Sequence, residues 1–164
     1  MNDPRDIDRA TILIVDDTPD NIMLLSALLK ERYRTKVATN GATALQILAA
    51  GGVDLVLLDV MMPDMDGLEA CRRIVQDPRT ADMPVIFTTA KSQPEDEARG
   101  LAAGAVDYIT RPVSPPILFA RVATHLALRA VRRDLARRNA ELEALLAARG
   151  GSGQGGAAGK FEIP

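Results

Sequence analysis

The sequence predicts an α/β fold: a five-stranded parallel sheet, doubly wound with helices on both faces, and an extended C-terminal helix. Three observations predict it. Short apolar runs rich in β-branched residues alternate with helical stripes five times in about 120 residues. The connections are short, so successive units stack side by side with helices on both faces. "DLVLLD" (54–59) is apolar on both faces, as a central parallel strand must be.

The elements follow in order. "TILIV" (11–15) reads as a buried strand. Thr18 is placed to cap the next helix, with Pro19 at its first position. Ile22, Leu25, Leu28 and Leu29 give a helical stripe over 19–32. "YRTKVAT" (33–39) alternates as a strand near an edge would. A short helix opens near Asn40 and is closed by Gly51 and Gly52. "MMPDMDG" is a turn-rich loop after the central strand, and "LEACRRIVQ" is a helix ending before Asp77 and Pro78. "PVIFTTA" (84–90) is the fourth strand. "PEDEARGLAAG" is an acidic helix closed by Gly104. "AVDYIT" (105–110) is the fifth strand, and a long helix starts near Ser114.

The bulk numbers suit one domain plus an appendage. Hydrophobic residues make up 47% of the 164, so a core can be buried, but aromatics are only 3%. A single cysteine excludes an intramolecular disulfide framework. No apolar stretch reaches a membrane span, and the acidic, polar start is no signal peptide, so a cytoplasmic location and no membrane partner are expected. Residues 1–120 hold 12 Lys+Arg against 18 Asp+Glu, while residues 121–164 hold 8 against 4. The two parts are different objects. The expected organisation is a flexible N-terminus (1–10), one α/β domain (11–128), a helical extension (129–149) and a flexible Gly-rich tail (150–164).

Ligands of such a sheet gather at the carboxyl ends of the strands. Asp16 and Asp17 follow the first strand. Asp59 ends the third, Thr88, Thr89 and Ala90 end the fourth, and Thr110 and Arg111 end the fifth. Three carboxylates, a hydroxyl and a guanidinium should converge there. Taken singly, each has an ordinary reading as a cap, a turn or a solvated strand end. Two carboxylates about 4 Å apart repel by on the order of 4 kcal/mol, which a cation between them offsets. All-oxygen ligands favour Mg²⁺ or Mn²⁺ over zinc. A divalent ion, a hydroxyl and a fixed cation suit phosphoryl chemistry. No Walker A loop, GxGxxG or seryl nucleophile motif is present. The candidate nucleophile is then a carboxylate, and Asp59, on the central strand, is the best held.

"ILIVDDTPDN", "DLVLLDVMMPDMDG", "PVIFTTA" and "AGAVDYITRPVSPP" resemble the receiver domain of two-component response regulators over residues 11–130. The resemblance implies the flavodoxin-like strand order 2-1-3-4-5. It also implies roles. Asp59 matches the phosphoacceptor, and Asp17 and Asp59 match direct Mg²⁺ ligands. Asp16 matches the acidic partner that acts through water, and the Met61 carbonyl matches the third protein ligand. Thr89 matches the hydroxyl that moves to the phosphoryl group, and Tyr108 the aromatic switch residue. Ala90 matches the small residue whose N–H donates to the phosphate. Arg111 stands where the family has Lys; it should face Asp59, keeping the charge with altered geometry. Met61 and Lys91 lie where they could affect water access. The implied donor is a phosphohistidine on a sensor histidine kinase or a phosphotransfer protein. The implied output is a change of the face made by the fourth helix, fifth strand and fifth helix. Slow autodephosphorylation resets it. A constitutive dimerisation or scaffold module is the alternative. A haloacid-dehalogenase-like phosphatase is another, but it needs an Asp two residues past the nucleophile, where Met61 or Thr18 stands.

The last helix runs without Gly or Pro to about Arg149. With Leu128 at position a, the seam is Leu128, Val131, Leu135, Arg138, Leu142 and Leu145, five of six apolar. The frame through His125, Leu128, Arg132, Leu135, Asn139, Leu142 and Leu146 gives four of seven. The first favours a parallel homodimeric coiled coil. A stripe packed on a further domain is the plainer reading. Arg129, Arg132, Arg133, Arg137 and Arg138 read as a solvated face, because no recognition helix or stacking aromatics accompany them; no nucleic-acid partner is expected. His125 reads as a helix-surface histidine, and Cys71 as a packed or half-buried thiol. Receivers with a "SPPI…ARV…HL" helix resemble those joined to diguanylate cyclases, cyclic di-GMP phosphodiesterases, phosphatases or kinases. The chain is expected to be either a piece of such a protein or a regulator whose helix is the output.

Overall fold

The computed structural model describes residues 9–90 and 94–152; the expected flexible N-terminus, Lys91 and most of the Gly-rich tail lie outside them. Two compact units follow one another, the first through Arg129 and the second from Ala130.

The first unit is five βα repeats: β1 (Thr11–Val15), α1 (Pro19–Leu29), β2 (Arg34–Ala38), α2 (Gly41–Ala49), β3 (Leu55–Asp59), α3 (Gly67–Gln76), β4 (Val85–Thr89), α4 (Pro94–Ala102), β5 (Asp107–Thr110) and the start of α5 (Pro115–Ser152). The strands form one parallel sheet in the order β2-β1-β3-β4-β5, the flavodoxin-like order. Period-two alternation splits the core between the faces. Leu13, Val15, Val56, Leu58, Val85 and Phe87 point to one face, against Ala44 and Leu48 of α2 and Ala70, Cys71 and Ile74 of α3. Ile12, Ile14, Leu55, Leu57, Ile86 and Ile109 point to the other, against Leu25 and Leu29 of α1 and Leu118 and Val122 of α5. β1, β3 and β4 are buried along their whole length, which explains their unbroken apolar runs.

Local signals set the boundaries. Asn40 caps α2 by accepting from the Thr43 N–H, and Gly51 and Gly52, both at positive φ, carry the chain out of it. Thr18 occupies the cap position of α1 but makes no side-chain cap bond. Its own N–H donates instead to Asp16 Oδ1 at 2.9 Å. α1 stops at Leu29, short of the expected residue 32, because the Arg32 and Tyr33 N–H groups turn back onto the Leu29 carbonyl before β2 begins. α5 continues to Ser152, past the expected end at Arg149. In the second unit Val131, Leu135, Leu142, Leu145 and Leu146 are all more than half exposed.

Two expectations for α5 are corrected within the first unit. Arg129 is buried, its Nη1 donating to Asp54 Oδ1 at 2.9 Å and its Nε 3.6 Å from Asp82 Oδ2. It is not part of a solvated face. His125 is largely covered, with Nε2 3.0 Å from Asp107 Oδ2. Its acidic neighbour is 18 residues away, on β5. Arg121 reaches the same Asp107 and the Tyr108 carbonyl.

Candidate functional site

Parallel register brings the strand-end residues together. Asp59 is the last residue of β3 and pairs with Thr88 on β4; Thr89 pairs with Thr110 on β5. Arg111 is the next residue, and its N–H donates to the Thr89 carbonyl at 2.7 Å. Asp16 follows directly after β1, where its N–H donates to the Ala38 carbonyl. The backbone ladder thus fixes where each side chain starts.

Asp16, Asp17 and Asp59 each offer an oxygen within 4.8 Å of the others. Asp16 and Asp59 are buried, at 1% and 2% exposure, while Asp17 is exposed. Arg111 reaches into this cluster: Nη2 donates to Asp59 Oδ1 at 3.1 Å, and Nη1 lies 3.7 Å from Asp16 Oδ2. The Met61 N–H also donates to Asp59 Oδ1, at 3.1 Å, while the Met61 side chain is exposed. Burial pushes the Asp59 carboxyl up to about 6, and the nearby charges of Asp16 and Asp17 push the same way. The Met61 N–H and Arg111 pull against them.

The cluster fits a hard divalent cation. Asp16 spends Oδ1 on the Thr18 N–H, but among the described residues nothing donates to its buried Oδ2. Among the described residues, one guanidinium stands against three carboxylates. Oxygen donors alone, with no His or Cys among them, suit Mg²⁺ or Mn²⁺. Thr89 is buried at the end of β4 and Ala90 is exposed beside it. Thr89 and Tyr108 line one small cavity of about 10 Å³ with Val60, Phe87 and Leu101, room for at most one water. Asp16, Asp17, Asp59, Thr89, Ala90 and Arg111 therefore gather at the carboxyl edge of the sheet, with Tyr108 two residues back within β5.

Gly67 is a supporting residue that sequence reasoning missed. A Cβ there would sit 2.2 Å from the Asp59 carbonyl oxygen and 2.8 Å from Val60 Cα. Only a glycine lets α3 begin so close to the end of β3, and the Gly67 N–H donates to the Val60 carbonyl. Asp66 caps the helix through the Glu69 N–H. The Gly ending "MMPDMDG" was the available signal.

A doubly wound sheet with an acidic pocket opposite a strand-end cation defines a class of phosphoacceptor domains. The response regulator receiver domain profile matches residues 12–123, and the chain belongs to that family. It is 49% identical over 146 residues to a probable cyclic di-GMP phosphodiesterase of Vibrio cholerae, covering 89% of this chain and 33% of that protein. It is 42% identical over 132 residues to response regulator PleD of Caulobacter vibrioides, covering 80% and 29%. The chain thus spans about a third of the length of these two relatives. Among solved structures, a response regulator from Chloroflexus aurantiacus superposes with a TM-score of 0.70 at 34% identity, covering 73% of this chain and 98% of that one. Phosphoacceptor signalling is the function of this receiver. No helix among the described residues is long and apolar enough to cross a membrane.

Proposed function

We propose that Asp59 is the phosphoacceptor and that the receiver occupies residues 11–128. An Asp59 oxygen attacks the phosphorus of a phosphohistidine on a histidine kinase or phosphotransfer protein. The P–N bond breaks and its electron pair stays with the imidazole. The observation that carries this reading is a buried carboxylate at the end of the central strand, held by Met61 and faced by Arg111, amid a surplus of negative charge. Asp16, Asp17, Asp59 and the Met61 carbonyl would hold Mg²⁺, which supplies charge neutralisation when bound. The Ala90 N–H and the Thr89 hydroxyl receive the phosphoryl oxygens. Tyr108 follows Thr89 through their shared cavity, so the face of α4, β5 and α5 changes its partner preference. Slow hydrolysis of the acyl phosphate resets the switch. All of this suits a cytoplasmic signalling protein.

Acetyl phosphate or phosphoramidate with Mg²⁺ should add the mass of one phosphoryl group, and Asp59→Asn should abolish the gain. A folded wild-type chain that gains no mass from either, nor from a kinase, would sink the reading.

The long last helix suits a parallel homodimer. Leu128, Val131, Leu135, Leu142 and Leu145 are all exposed in the single chain, and together they make the heptad seam. Arg138, the polar residue in that seam, is paired along its own helix with Asp134 at 3.1 Å. Sedimentation with and without a phosphoryl mimic would separate a phosphorylation-linked dimer from a constitutive one. A monomer at all concentrations would exclude both. The Vibrio cholerae relative is named for cyclic di-GMP hydrolysis, which supports a cyclic di-GMP enzyme as the output class.

A further inference from the structure

We propose that Arg111 is a two-pronged phosphoryl clamp whose Nε–H and Nη2–H take two oxygens of the group on Asp59. The inference rests on the acceptor role proposed for Asp59.

The planar guanidinium has one long edge on which the Nε and Nη2 hydrogens point the same way. Their spacing matches two oxygens of a carboxylate or a phosphate. In the unmodified site this edge is half used. Nη2 donates to Asp59 Oδ1 at 3.1 Å, while Nε is buried and, among the described residues, has no hydrogen-bond partner. The carboxylate does not fill both prongs: Oδ1 accepts from Nη2 and from the Met61 N–H, and Nε is left open. Nη1, at the far end, stands 3.7 Å from Asp16 Oδ2, so the guanidinium is drawn towards the acidic cluster from that side too.

A buried donor without an acceptor is costly, and native structures keep few of them. Phosphorylation supplies what is missing. A phosphoryl group on Asp59 brings three acceptor oxygens to the carboxylate that Nη2 already touches. The open Nε prong then gains an acceptor without the side chain leaving its place. A lysine ammonium here would put a point charge near the phosphate but has no parallel pair of donors. The arginine therefore favours the modified state over the unmodified one through a donor that is idle until the phosphate arrives.

The test uses the whole ¹⁵N-labelled chain with Mg²⁺ and beryllofluoride as the phosphoryl mimic. Arg111→Lys identifies the Arg111 Nε–H resonance by its loss, and a thermal melt checks that the variant is folded. On adding beryllofluoride, the wild-type Nε–H resonance should move downfield and exchange more slowly with water. Arg111→Lys should bind beryllofluoride roughly tenfold more weakly, the loss of one charge-assisted hydrogen bond. An unmoved Nε–H while the amides around Asp59 report bound mimic would overturn the clamp, as would equal affinity in a folded lysine variant. A wild type that neither binds the mimic nor gains phosphoryl mass would remove the acceptor reading itself, and the clamp with it.

Discussion

Two arginines stand between pairs of aspartates at opposite edges of the same sheet. At the amino edge, Arg129 lies between Asp54 and Asp82. At the carboxyl edge, Arg111 lies between Asp59 and Asp16. The surroundings are inverted. Arg129 is 8% exposed while its carboxylates are 39% and 44% exposed, so water shares their charge. Asp54 is further satisfied by the Thr11 N–H at 2.8 Å. Arg111 is the more exposed member of its trio, and its carboxylates are buried at 1% and 3%. A third carboxylate, Asp17, joins the same cluster. One ion-pair chemistry thus gives a settled joint where the anions reach water. It gives a crowded acidic cluster where they are buried.

The contrast can be broken at either edge. The largest effect is expected from Asp59→Asn without divalent metal. The Asp59 carboxyl rises from 3.8 to about 6, so the native state keeps its proton where the unfolded chain has lost it. This group's contribution to stability therefore falls as pH rises from about 4 to about 6 and is level above that. Removing the charge should raise stability at pH 7 by up to about 3 kcal/mol. Urea melts at several pH values would check this, and a variant equal to wild type at pH 7 would contradict it. At the other edge, Arg129→Ala should cost about 2 kcal/mol, by losing a hydrogen bond to a charged group and the packing of a buried side chain. Phosphoryl mass gain should be unchanged. A loss of phosphorylation with the fold intact would show that the two edges are coupled. The smallest effect is from the cation. Mg²⁺ at tenfold excess over its Kd should stabilise the wild type by about 1.4 kcal/mol, and Asp17→Asn should remove most of the gain in a thermal melt.

The same contrast explains what the sequence revealed. The strand-end residues were legible because unbroken apolar runs such as "LVLLD" locate strand ends sharply, and a parallel sheet sends every one of those ends to the same edge. Arg111 was legible for that reason, and its partner at Asp59 followed. Arg129 and His125 were not. Each sits on a long helix, and the aspartates that cover them are 75 and 18 residues distant. Nothing local distinguishes a buried arginine from a solvated one. Gly67 was visible only as the Gly ending a turn, since its constraint is the Asp59 backbone across a loop and not its neighbours in the chain. At Thr18 the position was legible but the bond was not: its N–H donates to Asp16 Oδ1, and its side chain makes no cap bond.

The strand order makes the sheet a ruler for the site. β5 and β3 are separated by β4, so Arg111 and Asp59 leave the backbone two strand spacings apart, on the order of 10 Å. Asp16, after β1, starts one spacing farther still. No backbone adjustment within a paired ladder shortens these spans; only side-chain reach can. Arg111 covers the first span and nearly closes the second, ending 3.7 Å from Asp16. A side chain one atom shorter could meet Asp59 but would stop short of the neighbouring strand's carboxylate. The length of one side chain therefore decides how many strands of the sheet are electrostatically tied together.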